Sequence, residues 1–398
     1  MAFALVGNAV NPEKNDPVDG KWDASFSAPG VKTVSRKGVF SMPEFNFDTE
    51  FQRLKLAASG ACDRPPVFAQ MHEFTMRQSG LTCREFYSNP EKYVRQAIAT
   101  SREFGIDIPE IPAFGDSYNI EAEALGATIL YEDDHSPTKT LEPLISSEKE
   151  LAALNAPNPE TDGRMKAASQ CLTIFKELTG ISVGHECCAP LSLAVQLAGY
   201  QPLAMQMLTN PGYVHRILRF LTEEVIAPYA RMVIRDNPGC PGVSAADALS
   251  SLPLFTEEMI AEFSLPYIVR LKELCGGSFT VRNWVGDSKS KNLEGYWSKK
   301  LAVGSGILEV QDPDLHRIGV EKVLAYAEKR ELPVILGVGA EFMANGSIPE
   351  VTARVKEYLT TGNDRKRRIL YLCNLDYNFD PEKLKAIIAC VNEVGYAD

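Results

Sequence analysis

The chain has 398 residues, 45% hydrophobic and 23% charged, with a formal net charge of −11. That balance supports a large buried core and disfavours a nucleic-acid surface, which needs clustered Lys and Arg. No window approaches ~18 uninterrupted apolar residues, so no membrane span is expected. The nine cysteines are scattered, in the usage of a reducing compartment. The opening MAFALVGNAVNPEKNDP lacks the basic and apolar regions of a secretory signal, so a cytoplasmic protein is expected.

Residues 1 to about 45 are rich in Pro, Gly, Ser and Asn and show no sustained period. They read as an irregular arm over a neighbouring surface or subunit, compatible with a homodimer. A helix is predicted over Asp48–Ser59, closed by Gly60. From residue 46 onward, eight short apolar runs alternate with longer amphipathic stretches. The runs are Pro66–Met71, Ile106–Phe114, Ile181–Glu186, Gly242–Ala246, Ser278–Asn283, Gly306–Val310, Pro333–Leu336 and Arg368–Leu372. Between and after them, Pro90–Phe104, Pro211–Asp236, Thr256–Cys275, Asp314–Lys329, Ile348–Thr361 and Pro381–Val394 carry apolar residues at helical spacing. Residues 118 to 165 hold a predicted hairpin (GATILYE onward) and a short helix, an insertion between the second and third strands. The basic run DRKRR, residues 364–368, reads as a solvated loop before the last strand.

Strands separated by helices of this length pair in parallel through right-handed crossovers. Eight such units predict a (β/α)8 TIM barrel forming one catalytic domain over residues 46–398. An open doubly wound sheet would need a Gly-rich first turn, and no GxGxxG follows the first run.

In such a barrel the chemistry lies at the C-terminal ends of the strands. The first run leads to Gln70, His72 and Glu73, and the second to Asp116, Ser117, Tyr118 and Asn119, with Glu121 and Glu123 beyond. The third ends in His185, Glu186, Cys187 and Cys188, the fourth in Asp247, the fifth in Arg282 and Asn283. The sixth ends in Glu309 and the eighth in Cys373, Asn374 and Asp376. Helix caps account for some Asp and Asn, but not for two histidines and three cysteines. Trp284 and Trp297, with Phe74, Phe114 and Tyr118, are candidates for an aromatic pocket wall. His215 and His316 fall in helical patterns and His135 in a loop, so these three are expected outside the site.

The segments RPPVFAQMHEF, GLTCREFYSNPEKYVRQ and AFGDSYNIEAEALGA resemble the uroporphyrinogen decarboxylase superfamily. APLSLAVQLAGY, NPGYVHRILRFLTEEVIAPYA, ADALSSLPLFTEEMIAEFSLPYI, GSIPEVTARVKEYL and LYLCNLDYNFDPEKLKAII continue the resemblance in the same order. It covers nearly everything after about residue 45. REFYSNPE and EAEALGA lean towards the branch that moves methyl groups to and from corrinoid proteins, as the methyltransferase component of O-demethylases does. The resemblance implies a (β/α)8 barrel and a role in anaerobic one-carbon metabolism. Asp116 falls where the decarboxylases keep an aspartate facing the substrate pyrroles. Cys373 falls where zinc-dependent members keep their last thiolate. Those members also carry His-x-Cys-Gly at the end of the fifth strand, where this chain reads Asn283-Trp284-Val285-Gly286. Imidazole and thiolate are both missing from that position.

In thiol-methylating members, zinc supplies the nucleophile by binding the acceptor as thiolate. Without those ligands the direction expected is demethylation. A Co(I) corrinoid takes the methyl group while the enzyme positions it and stabilises the departing group. An aryl methyl ether suits this scheme, because phenolate leaves more readily than alkoxide. His72, Tyr118, His185 and Asp247 are candidates for the hydrogen-bond donor or acid, with Asp116 facing substrate. Asn119, Glu121, Asn283, Trp284 and Glu309 are candidates for further substrate contacts. A relocated zinc site is a second reading, with His185 and Cys187 or Cys188 of the third strand meeting Cys373. Its counterpart is that the cysteines are small buried apolar side chains. No Asp-x-His-x-x-Gly corrinoid signature is present, so the corrinoid (cobalamin) is expected on a partner protein. Three other functions stand beside this one. A porphyrinogen lyase would need cationic groups for several carboxylates, and AQMHEFTMRQSG offers only Arg77. A methylcorrinoid:thiol methyltransferase would need the relocated zinc. A non-catalytic partner of a corrinoid protein would not keep so dense a polar set.

Overall fold

The computed structural model describes residues 47–276 and 279–395, and the proposed arm over residues 1–45 lies outside them. The first helix runs Phe47–Ser59. Among the described residues nine strands follow: β1 Val67–Ala69, β2 Ile129–Leu130, β3 Thr138–Lys139, β4 His185–Cys188, β5 Val243–Ala246, β6 Phe279–Arg282, β7 Leu308–Gln311, β8 Val334–Val338 and β9 Arg368–Leu372. β2 and β3 form the antiparallel hairpin expected in the insertion. The others pair in parallel as two arcs, β1-β9-β8-β7 and β4-β5-β6. With their crossover helices they make a TIM barrel, the fold class read from the alternation of runs and helices.

Two expected strands differ from the sequence reading. The run Ile106–Phe114 makes only one parallel bridge, Phe68 to Ile108. Pro109 and Pro112 have no N–H to continue a ladder, and Pro112–Gly115 forms a 3-10 turn instead. Asp107 extends the join, its carboxylate accepting the Val67 N–H at 2.6 Å. The third strand begins later than expected, because His185 is in register with Val243 and only His185–Cys188 pair with β5.

Most helices match their periodicity. Pro90–Phe104 starts on an Asn89 cap with Pro at its first position and ends at Gly105. Pro211–Asp236 is one long rod interrupted by a π-helical turn at Leu221–Ile226. The other two long stretches break in two, at Ser264 and at Gly319. No described helix is long and apolar enough to cross a membrane.

Side-chain alternation divides the core. Val67, Ala69, Leu308, Val310, Val334, Leu336, Val338, Leu370 and Leu372 join one cluster with the helix residues Val323, Val355 and Ile387. Phe68, Ile335, Ile369, Tyr371 and Cys373 belong to the other. Successive residues of a strand point to opposite faces, so the first set meets the helical layer and the second fills the barrel.

Candidate active site

A cavity of about 310 Å³ lies at the C-terminal ends of the strands, where Gln70, Asp116, Arg282, Asn283, Gln311 and Cys373 all reach it. Its base is aromatic. Phe68 and Tyr371 stack with ring centroids 4.5 Å apart and planes 12° from parallel. The Arg282 guanidinium lies over both rings, 5.6 and 5.8 Å from their centroids, a favourable placement for a cation.

Arg282 also organises the acids. It donates to Glu186 at 3.2 Å, to Glu309 at 3.4 Å and to the Asn283 side chain at 3.1 Å. Glu186 projects inward from β4 and lines the cavity. Burial, with Glu110 and Glu309 nearby, pushes its carboxyl up to about 8 against hydrogen bonds from Ser117 and Ser244.

On another wall stands His72, whose Nδ1 is 3.2 Å from Glu110 Oε1. Glu110 Oε2 accepts the Met71 N–H at 2.8 Å, and its carbonyl accepts the Tyr93 hydroxyl at 2.7 Å. Burial alone would push the imidazole down. The Glu110 charge and hydrogen bond, with Glu73 and Asp116, outweigh it and raise His72 to about 9. Gly115 closes against this wall, since a Cβ there would lie 2.7 Å from Tyr93 Oη and 2.9 Å from His72 Cβ. Asp116 follows, accepting from Asn119 Nδ2 at 2.6 Å and Arg164 at 2.7 Å. Asn119 in turn ties down the insertion hairpin, donating to Pro137 O at 2.8 Å and accepting from Lys139 N at 3.2 Å.

The backbone is strained around the same cavity. Ala113, Phe114, Asn283 and Asn374 have φ of 54°, 54°, 65° and 53°. Asn tolerates this region, whereas Ala and Phe hold it at a cost that the surrounding packing must offset.

Of the residues singled out in the sequence, His72, Asp116, Tyr118, Asn119, Asn283 and Cys373 meet at this cavity. The Tyr118 hydroxyl accepts the Ala248 N–H at 3.3 Å, and burial raises it well above a free phenol. Six others lie elsewhere. His185 packs edge-on against Tyr229 of the helix Ala227–Asp236, centroids 4.9 Å apart. Cys187 shares that outward face and donates to Ser244 O at 3.7 Å. Asp247 is fully buried and accepts from Ser192, Ser250, Ser264 and Trp284 at 2.6 to 3.0 Å. It ties the helix Pro190–Ala198 to the loops after β5 and β6 and does not line the cavity. Trp284 is its partner and stacks on Tyr296. Glu121 accepts the Cys188 N–H at 2.8 Å in the interior. Glu309 reaches the site only through Arg282. Trp297, Phe74 and Phe114 are fully buried core, so of the expected aromatic wall only Tyr118 lines the cavity, joined there by Phe68 and Tyr371.

The proposed zinc set is not brought together. Cys373 donates its thiol to Gln311 Oε1 at 3.2 Å, and burial holds that thiol well above its usual range. Among the described residues no three His, Cys, Asp or Glu side chains are grouped to hold a metal ion. The residues present do not fit zinc, because His185 and Cys187 face the helical layer while Cys373 faces the cavity.

The sequence reading missed Glu110, Phe68 and Tyr371, and passed over Glu186, Arg282 and Gln311 as binding candidates. A charged residue inside the apolar, proline-flanked IPEIP of the second run was the available signal for Glu110. Strand alternation was the signal for the rest.

A methyltransferase from Methanosarcina mazei is similar in structure, with a TM-score of 0.68 at 19% identity, covering 88% of this chain and 99% of that one. No curated protein matches the sequence. The family described as Uroporphyrinogen decarboxylase (URO-D) matches residues 50–394, nearly the whole described chain, and the chain belongs to that family.

Proposed function

We propose that the protein is a corrinoid-dependent methyltransferase. It takes the methyl group from a small methylated substrate, best a phenyl methyl ether, and passes it to the Co(I) corrinoid of a partner protein. The reading rests above all on the cavity at the strand ends, whose stacked Phe68–Tyr371 base suits a flat ring. A volume of about 310 Å³ admits one substituted aromatic ring with space left beside it. His72 and Tyr118 line that space and supply polar hydrogens at its wall. They can meet an ether oxygen as negative charge develops on it. The family and the methyltransferase fold likeness are in keeping with this chemistry.

The transfer is a displacement at carbon. Co(I) supplies the electron pair of the new Co–C bond, and the C–O pair leaves with oxygen, which takes a proton. The protein's part is to align the methyl group and to donate that proton. No step is assigned to a metal held by this chain. A porphyrinogen acid fits less well, since its carboxylates need free cations. The cationic lining residues among those described, His72 and Arg282, already face Glu110, Glu186 and Glu309.

The test is to mix the protein with a reduced corrinoid protein and 2-methoxyphenol, following methyl–cobalt absorbance and release of the phenol. Methylamines and methanol are controls. Methylation from an amine but from no aryl ether contradicts the substrate class, and methylation of a free thiol from methylcobalamin contradicts the direction.

A further inference from the structure

We infer that Glu110 and His72 form a carboxylate–imidazolium dyad in which His72 Nε2 is the acid that protonates the departing oxygen. Glu110 acts as the positioning residue. The inference rests on the methyl-transfer reading above and names the group that carries its proton step.

Three features carry it. First, the dyad has a direction. Nδ1 of His72 faces Glu110 Oε1 at 3.2 Å, so the other ring nitrogen is left to donate elsewhere, and the residue lines the cavity. Second, Glu110 is fixed at three points, by the Met71 N–H on its second carboxylate oxygen, by the Tyr93 hydroxyl on its carbonyl, and by His72 itself. A carboxylate so held sets the tautomer and the plane of the imidazole, as an orienting acid does beside a catalytic histidine. Third, the wall is built tightly at this place. Ala113 and Phe114 hold left-handed backbone just before Gly115, which has no room for a Cβ beside His72. Strain of this kind gathers where a side chain must be held in one position.

The charged groups facing His72 are Glu110 from the second run, Glu73 from its own helix and Asp116 beyond the 3-10 turn. Asp116 is itself matched by Arg164, which leaves Glu110 as the main carboxylate partner of the ring. At neutral pH the imidazole is therefore a cation with a proton to give. The alternatives are less suited. His185 and Asp247 are away from the cavity, and the Tyr118 phenol is far too weak an acid in its buried setting.

The step balances. The ether oxygen receives the C–O electron pair and the Nε2 proton and leaves as a neutral phenol, the methyl group joins cobalt, and neutral His72 regains a proton from solvent. Such an acid favours donors whose departing atom must take up a proton.

The test compares wild type with Glu110→Gln on two ethers, 2-methoxyphenol and 4-nitroanisole, whose nitrophenolate leaves without needing a proton. With 2-methoxyphenol, kcat should fall on the order of 10²-fold with KM little changed. With 4-nitroanisole the loss should be several-fold smaller. Wild-type kcat should fall as pH rises through about 9, where His72 loses its proton. In Glu110→Gln that fall should move to lower pH by about one unit or more. Equal losses on both ethers, or an unmoved pH profile, overturn the inference. NMR titration of the His72 ring in the wild-type protein decides the dyad's charge even if the variant fails to fold: a neutral ring at pH 7.5 overturns it. Absence of turnover with any ether, beside a ring that titrates high, defeats the demethylase reading and the acid role with it, while leaving the dyad as a cationic binding site.

Discussion

His185 and Glu186 are consecutive residues of β4, yet Glu186 lines the cavity and His185 packs on Tyr229 in the helical layer. The same division separates two polar groups of the molecule. On the cavity side stand His72, Asp116, Glu186 and Arg282, each within 3.2 Å of a side chain of opposite type. Away from the cavity stand His185, on the outer face of β4, Glu121, at the free edge of β4, and Asp247, all fully buried. In that second group, Asp247 is saturated by four donors, whereas both ring nitrogens of His185 have no partner. A polar side chain at a strand end therefore carries two different meanings. Inward, it is held by countercharges beside open space. Outward, it is either a structural knot or a neutral ring filling volume.

The contrast breaks most visibly at Asp247. Asp247→Ala leaves four donors buried without an acceptor and should cost about 3 kcal/mol or more of stability. Urea unfolding would show it, and an unchanged midpoint would mean that the buried knot is dispensable. A smaller effect is expected at Gly115 on the cavity side. Gly115→Ala forces a Cβ against Tyr93 and His72 at a left-handed position. It should lower methyl transfer about tenfold through a displaced His72, read as kcat on 2-methoxyphenol. Wild-type kcat in that variant would show that the His72 wall has slack.

Near neutral pH the smallest effect belongs to His185. Burial pushes its imidazole down to about 3, below the 6.5 of the free side chain. Between these values the unfolded chain binds a proton that the folded one does not. Stability should therefore fall as pH is lowered from about 6.5 towards 3, by up to about 1.4 kcal/mol per unit. His185→Phe keeps the ring against Tyr229 and removes that component of the slope. An identical pH dependence in the variant would place the acid sensitivity elsewhere.

The fold was legible because eight apolar runs alternate with helices whose caps are local. Pro90–Phe104 begins and ends where its Asn89 and Gly105 say it should. The departures have local causes too, with Pro109 and Pro112 ending one expected strand before it forms a ladder. The site was legible in part. His72, Asp116, Tyr118, Asn119, Asn283 and Cys373 were recognisable as polar or thiol groups at run ends, and they meet at the cavity. His185 and Cys187 were grouped with Cys373 as metal-competent groups at strand ends, but inward or outward direction depends on register. Register was fixed only by His185 pairing with Val243. Glu110 could not be ranked for a different reason. Its importance lies in contacts to Met71, His72 and Tyr93, which no spacing in the sequence announces.

The most direct measurement sets the two histidines side by side in one reaction. Methyl transfer from 2-methoxyphenol to a reduced corrinoid protein is followed by cobalt absorbance for wild type, His72→Gln and His185→Phe, with melting curves on each. The cavity account predicts a loss on the order of 10²-fold for a His72→Gln enzyme that the melting curve shows to be folded, and a rate within about threefold of wild type for His185→Phe. A His72→Gln enzyme as fast as wild type, or a folded His185→Phe enzyme that has lost the reaction, would contradict it.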